Sequence, residues 1–297
     1  HFDQRALAKR PVALGASNPV RMERSLGGVA RNVAETLGRL GCDVAVVSRV
    51  GCGPTGEWVL APLVELGLDL RHVGRSPTAQ TASYTALVDD DGETVVALSD
   101  MEIYEELTPE AIEPALLACS EHVLWFVDAN LPATTLRHLA TSRPRGTAMA
   151  VDAVSVAKAE RLRPILGEID LLFCNRAEAE SLSGIRIRAP LDVTEAAHRL
   201  RMTGVGAIIM ALGADGGFVA SDRVYDFFPA TAGWVRDVTG AGDALVAGVL
   251  YGYASGRPID EAMALGMASA AMAIEVAQRV NPKVSAPDLL ARAGLGA

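Results

Sequence analysis

The chain has 297 residues, half of them hydrophobic and 21% charged, with a formal net charge of −9 and a pI near 5.1. That length supports one large domain with a real core or two smaller ones. The acidic balance argues against nucleic acid or an anionic membrane surface as the main partner, so any phosphate must be held locally by helix termini, backbone amides and a metal ion. No secretory leader and no 18-residue apolar span stand out. Cys42, Cys52, Cys119 and Cys174 are scattered without a CxxC pair or a Cys/His cluster. They predict buried free thiols in a reducing cytoplasm rather than a zinc site.

Strand-like and helical segments alternate along almost the whole chain. Gly27-Gly28 opens a helix in which Val29, Val33, Leu37 and Leu40 share one face and Gly41 caps the end. The two glycines permit close approach of a ligand, and Asn32, one turn in, can both donate and accept hydrogen bonds to hydroxyls. A tight turn with a polar helix face explains the same residues without a ligand. Asp43–Val50 reads as a buried strand, and Thr55–Leu66 as a helix interrupted awkwardly by Pro62. Thr81–Val88, Asp89-Asp90-Asp91-Gly92 and Glu93–Leu98 form a strand, a turn and a returning strand, which is a lid or dimer contact or else a plain edge extension. Thr108-Pro109 is an N-cap followed by proline at the first helical position.

His122–Asp128, Thr147–Asp152, Asp170–Cys174 and Gly206–Leu212 are further short, apolar strands bounded by turn residues. After the third comes Asn175-Arg176-Ala177-Glu178, whose Asn and Glu share a helical face. They suit either a Mg²⁺–water–phosphate network or a capping box. After the fourth, Leu212-Gly213-Ala214-Asp215-Gly216-Gly217 is a glycine turn able to cradle a nucleotide or simply to reverse the chain. Asp237-Val238-Thr239-Gly240-Ala241-Gly242-Asp243 then opens the first of two long helices, about Ala241–Ser255 and Asp260–Arg279. Free amides and the positive end of the dipole make the start of that helix an anion site. Asp243 beside it suits a general base next to a phosphate, or an ordinary helix cap. The alternation as a whole predicts an α/β fold with a doubly wound, mostly parallel sheet flanked by helices.

Taken in order, GG…N, NxxE, the glycine turn and DVTGAGD resemble the ribokinase/PfkB family of carbohydrate kinases over essentially the whole chain. Several runs are similar to the pseudouridine kinases of that family: Ser17-Asn18-Pro19, Gly27–Gly41, Leu98–Glu105, Asp128–Pro132, Asp152–Ala159 and Val280-Asn281-Pro282. The resemblance implies a single kinase domain over 1–297 with a small β lid from about 8–25 and 79–100. It implies Asp243 as the base, with the Gly240, Ala241 and Gly242 amides around the transferring phosphoryl group. Asp3, Asn18, Gly28, Asn32, Asn130 and Asp237 match substrate-contacting positions. Asn175, Leu212, Gly213, Gly216, Gly240, Gly242 and Asn281 fall to ATP. Glu178 falls to Mg²⁺, mostly through water, and Asp237 and Thr239 to a monovalent cation, K⁺.

Asp3 matches the family's early aspartate without the glycines that usually precede it, and Ala244-Leu245 stands where many relatives carry an aromatic residue. The implied reaction is ATP-dependent phosphorylation of the 5′-hydroxyl of a ribosyl nucleoside, pseudouridine foremost. Ribose, inosine, adenosine, uridine and cytidine are the alternatives. A cytoplasmic homodimer joined through the lid, with no nucleic acid or membrane partner, completes the expectation. A non-catalytic nucleoside-binding protein of the same fold leaves the two aspartates and the intact TGAG turn unexplained, and the early glycines lack the GxGxxG spacing of a dinucleotide site. The five histidines show no ligand spacing and are expected at the surface or in packing, and Met263, Met267 and Met272 in the core.

Overall fold

The computed structural model describes residues 1–231 and 234–296. Twelve strands occur among them: β1 (Phe2–Ala8), β2 (Val20–Leu26), β3 (Ala45–Gly51), β4 (Asp69–Ser76), β5 (Ser83–Val88), β6 (Thr94–Asp100), β7 (Leu124–Asp128), β8 (Ala148–Asp152), β9 (Leu171–Asn175), β10 (Ala207–Ala211), β11 (Gly217–Ala220) and β12 (Tyr225–Phe228). The α-helices are α1 (Val29–Arg39), α2 (Pro54–Glu65), α3 (Pro109–Ala118), α4 (Ala133–Ser142), α5 (Val156–Ala159), α6 (Arg176–Ser183), α7 (Pro190–Arg201), α8 (Ala241–Ala254), α9 (Ile259–Ile274) and α10 (Ala286–Arg292).

The core sheet has the order β12-β11-β10-β9-β8-β7, parallel from β7 to β10 and antiparallel beyond. Residue alternation divides its side chains between two apolar layers. Leu172, Cys174, Ile208 and Met210 face Leu136, Leu182, Val193 and Leu200 of α4, α6 and α7. Leu171, Phe173, Ala207 and Ile209 face Val33 of α1 and the α8–α9 pair. Helices thus cover both faces, as the βα alternation requires. β3 and β4 form a separate parallel pair instead of extending this sheet. Between β3 and β7 lies an apolar cavity of about 310 Å³. Consecutive residues of both strands line it, so strand edges rather than one pleated face look into it.

The segments expected to form a lid belong to a second, four-stranded sheet in the order β2-β1-β5-β6. Its extent differs from the expected 8–25 and 79–100, because Phe2–Ala8 is itself a lid strand, antiparallel to β2 and parallel to β5. Asp3 therefore lies on a strand of this sheet. The β5–β6 turn is closed by Asp89, whose Oδ1 accepts from the amides of Asp91 and Glu93 at 3.1 and 2.8 Å.

Other expectations shift at their edges. α2 runs through Pro62, which removes only the donor to the Trp58 carbonyl near the helix end. The second long helix stops at Ile274 instead of Arg279, and Asn281 Nδ2 donates to the Met272 carbonyl at 2.9 Å, satisfying part of the exposed last turn. All four cysteines are free, but only Cys174 is buried and Cys52 is exposed. Met263 and Met267 are core residues, and Met272 packs at the rim of the small cluster under α10.

The α8–α9 contact is unusually close. A Cβ at Gly248 would meet the Leu265 carbonyl oxygen at 2.5 Å, and one at Gly252 the Ala262 Cα at 2.7 Å. Glycine is thus required by backbone-to-backbone packing. Replacing a helix-interior glycine by alanine ordinarily gains about 0.5–1 kcal/mol. Gly248→Ala is expected to lose about 1–3 kcal/mol through overpacking. A urea midpoint that falls at unchanged m-value checks this, and a raised midpoint would show that α8 and α9 separate freely.

Candidate active site

The site gathers at the C-terminal ends of the core strands, where α1 and α8 begin and the lid lies across. Gly240 adopts a left-handed conformation (φ 89°) as the N-cap of α8, and a Cβ there would meet the Arg279 carbonyl oxygen at 2.4 Å. The turn it makes leaves the Gly240 and Gly242 amides without an acceptor among the described residues. The Ala241 amide, expected with them, instead leans on the Val238 carbonyl at 3.3 Å. Gly242 faces open space.

Asp243, in the first turn of α8, accepts a 2.6 Å hydrogen bond from Asn32 Nδ2. Asn32 is buried on α1, whose N-cap is Gly28. Burial pushes the Asp243 carboxyl up to about 6, with the carboxylate of Asp128 adding to the rise. The Asn32 bond and the charges of Arg279 and Arg31 oppose it. Asp3 is a buried residue of β1 and forms an ion pair with Arg279 Nη2 at 2.6 Å, while His1 Nε2 lies 3.1 Å from its other oxygen. His1 is therefore a neighbour of the site, contrary to the purely structural role expected for all five histidines.

Other residues singled out in the sequence are held mainly by local contacts. Asn130 follows β7, with its amide donating to Asp128 Oδ1 at 3.0 Å. Asp237 Oδ1 accepts from the Thr239 amide at 2.8 Å, which holds the DxT loop in a tight turn. Burial works against that carboxylate, but the Thr239 bonds and the charges of Arg279 and Arg5 hold it below its ordinary range. Asn175 and Glu178 form a complete capping box. The Asn175 amide and Nδ2 each donate to a Glu178 oxygen at 2.8 Å, and Asn175 Oδ1 accepts from the Glu178 amide at 3.0 Å. Burial raises the Glu178 carboxyl despite these bonds. Leu212, Gly213 and Gly216 close a 3-10 turn after β10, the Leu212 amide bonding the Gly216 carbonyl at 2.9 Å. Asn281 has its side chain tied to Met272 and to the Lys283 amide. Asn18 is half-buried and spends its carboxamide on Ala13 and Ala16 of its own loop. The structure does not bring it to Asp243.

Several functional neighbours were not singled out in the sequence. Asp128 and Asp152 end β7 and β8 in register with each other. Burial, then the carboxylates of Asp243 and Glu178, push Asp152 well above the usual range. Their signal was present, since both apolar runs end in Asp at strand ends, where open α/β sheets gather ligands. Arg279 had none: it reaches Asp3 only because α9 stops early. Arg31 and Glu35 are buried partners at 2.7 Å, and Glu35 also binds Arg39 at 2.7 Å. Removing one member of so buried a pair costs about 3–5 kcal/mol.

The raised Asp243 carboxyl has a stability consequence. The folded chain holds that proton up to about 6, the unfolded chain only to its ordinary 3.8. The proton-linked contribution is therefore full below about pH 4 and is lost as pH rises through 6. Asp243→Asn escapes this loss while keeping an oxygen for Asn32. Its stability relative to the parent should rise between pH 4 and pH 8 by roughly 2–3 kcal/mol at most. Urea titrations at the two pH values test this, and a pH-independent difference overturns the buried-carboxyl assignment.

Comparison with known proteins agrees with this geometry. The model of the pfkB family carbohydrate kinases matches residues 7–285. The chain is 29% identical over 281 residues to the pseudouridine kinase of Escherichia coli (strain K12), covering 92% of this chain and 88% of that one. It is also 29% identical over 279 residues to the guanosine-inosine kinase of Exiguobacterium acetylicum, covering 89% and 88%. The structure of a carbohydrate kinase from Agrobacterium tumefaciens superposes with a TM-score of 0.84 at 32% identity, covering 99% and 94%. The chain belongs to the pfkB family of carbohydrate kinases, phosphotransferases with an alcohol group as acceptor.

Proposed function

We propose that this chain transfers the γ-phosphoryl group of ATP to the 5′-hydroxyl of a ribosyl nucleoside, with pseudouridine as the favoured substrate. The observation that carries the reading is Asp243, half-buried at the N-terminus of α8 and one hydrogen bond from Asn32. A general base works best with a pKa near the operating pH, and burial brings this carboxyl to about 6. The phosphoryl transition state needs positioning and charge neutralisation more than covalent help. In this reading the Gly240 and Gly242 amides and the α8 dipole face the developing charge, while Asp243 takes the hydroxyl proton. Asn32, Asp3 and Asn130 hold the sugar hydroxyls, and the lid excludes water. Leu212–Gly217 and the Asn281 loop flank the nucleotide.

Mg²⁺, held near Glu178 through water, would supply charge neutralisation to the nucleotide phosphates. Both Glu178 oxygens already accept a bond from Asn175, and no group of three acidic, His or Cys side chains able to hold a metal occurs among the described residues. Such a donor set fits an ion held largely by water and phosphate. Asp237 and Thr239 remain the proposed K⁺ loop.

Support for pseudouridine comes from the sequence runs and from the 29% likeness to a pseudouridine kinase. The equal likeness to a guanosine-inosine kinase makes purine nucleosides the second reading. The lid also supports self-association. Met22, Ala6, Leu87 and Val96 lie in one row across the sheet, on the face opposite Asp3, and Met22, Val96 and nearby Leu98 are exposed. Sizing in solution tests the lid homodimer.

Asp243→Asn should bind nucleoside and ATP but turn over about 10²–10⁴-fold more slowly. In the parent enzyme, kcat/KM should fall as pH drops through about 6, because the protonated acid cannot accept the hydroxyl proton. Near-parental turnover by the purified variant refutes the base. For the substrate, initial rates with ATP, Mg²⁺ and K⁺ on pseudouridine, inosine, guanosine, adenosine, uridine, cytidine and ribose are expected to favour pseudouridine. A better rate on any other member reassigns it.

A further inference from the structure

α1 carries a chain of buried polar contacts that the reaction scheme above leaves unused. Arg31 Nε donates to the Gly27 carbonyl at 3.0 Å and Nη1 to Glu35 Oε2 at 2.7 Å, and Nη2 donates to Asn32 Oδ1. Asn32 Nδ2 then donates to Asp243. At the far end Arg39 holds the other Glu35 oxygen and donates to the Pro282 carbonyl at 3.0 Å.

The two faces of a carboxamide are chemically opposite, and the fold must decide which one meets the carboxylate. A guanidinium has five N–H donors and no acceptor. Placed against Asn32, it accepts only the arrangement with the carboxamide oxygen turned toward it. The NH₂ group is then left facing Asp243. We propose that Arg31 is a positioning residue which locks the Asn32 carboxamide in the orientation that presents a donor to Asp243. The Glu35 and Gly27 contacts fix the guanidinium itself, and Arg39 fixes Glu35, so the orientation is set through four successive contacts that end at Asp243.

With the lock removed, the amide can turn its oxygen to Asp243. Two acceptors then face each other, and protonating Asp243 relieves the clash. The charged surroundings on other elements do not supply a substitute donor at Asn32. Arg279, beyond α9, is paired with Asp3 of β1, and Asp128 at the end of β7 is a carboxylate that favours the protonated form of Asp243, while Asp152 at the end of β8 has its own carboxyl raised by burial and by Asp243. Arg31 also acts on Asp243 through its charge, in the same direction.

The proposal rests on Asp243 being the base only where turnover is the readout, so the test uses two readouts. Arg31→Met with Glu35→Gln removes the guanidinium without leaving a buried carboxylate unpaired, and Glu35→Gln alone is the control. The ¹³C carboxyl titration of Asp243, recorded without substrate, should move up by about one to two pH units in the double variant. The acid limb of kcat/KM should move with it, while the control stays within a few tenths of a unit of the parent. Rates well above the limb should recover to within about threefold of the control. An unmoved carboxyl titration overturns the proposal, as does a rate loss that is the same at every pH. A shifted carboxyl titration with an unshifted rate profile sustains the proposal and refutes the base instead. Should the double variant not fold, the parent protein decides alone. The Asn32 NH₂ proton resonances are expected to follow the Asp243 titration, and resonances indifferent to it overturn the assigned orientation.

Discussion

A carboxylate taken out of water must be compensated by what surrounds it, and around Asp243 the compensation is deliberately partial. Burial alone disfavours its charge. The α8 dipole, one bond from Asn32 and the fields of Arg31 and Arg279 restore part of it, while Asp128 pulls the other way. Full compensation gives a strong acid with little appetite for a proton, and none gives a neutral carboxyl. The balance struck here lies between, and it depends on the relative placement of α1, α8, β7 and the segment after α9. Each of those elements is placed by the core, so the sheet and its two apolar layers serve chiefly to hold this set of charges in register.

The strands β7 to β10 and the helices α1, α3 and α8 were legible because local signals coincided. Short apolar runs were bounded by turn residues, Thr108-Pro109 announced a cap, and Val29, Val33 and Leu37 kept a helical period. What stayed hidden depends on chain geometry at a distance. Nothing local to Arg279 predicts its pairing with Asp3, which lies in a different sheet. Asp3 itself was matched on three residues, too few to show which sheet its strand joins. The lid bounds suffered from the same shortage, since β1 pairs with β5, whose partners are about eighty residues away in sequence.

The glycine-rich motifs were easiest to see and hardest to weigh. The DVTGAGD turn places Gly240 where only glycine fits, because φ is positive and Arg279 backs onto it. NxxE, by contrast, is fully used as a helix cap, and a capping box and a metal-ordering pair are spelled with the same letters. Asn18 shows the reverse error. A residue in a matching run can be spent on its own loop, and the run alone does not reveal it.

The glycine seam between α8 and α9 has an effect on how the chain comes of age. Because Gly248 and Gly252 bring backbone against backbone, the two helices cannot assemble loosely and tighten afterwards. The turn that carries Asp243 is the first turn of one of them. A chain in which this seam has not closed therefore lacks the ordered first turn that carries Asp243 and the Gly240 and Gly242 amides. On the proposed reading, the packing of two helices far from any ligand thus sets the order of the turn where the reaction takes place.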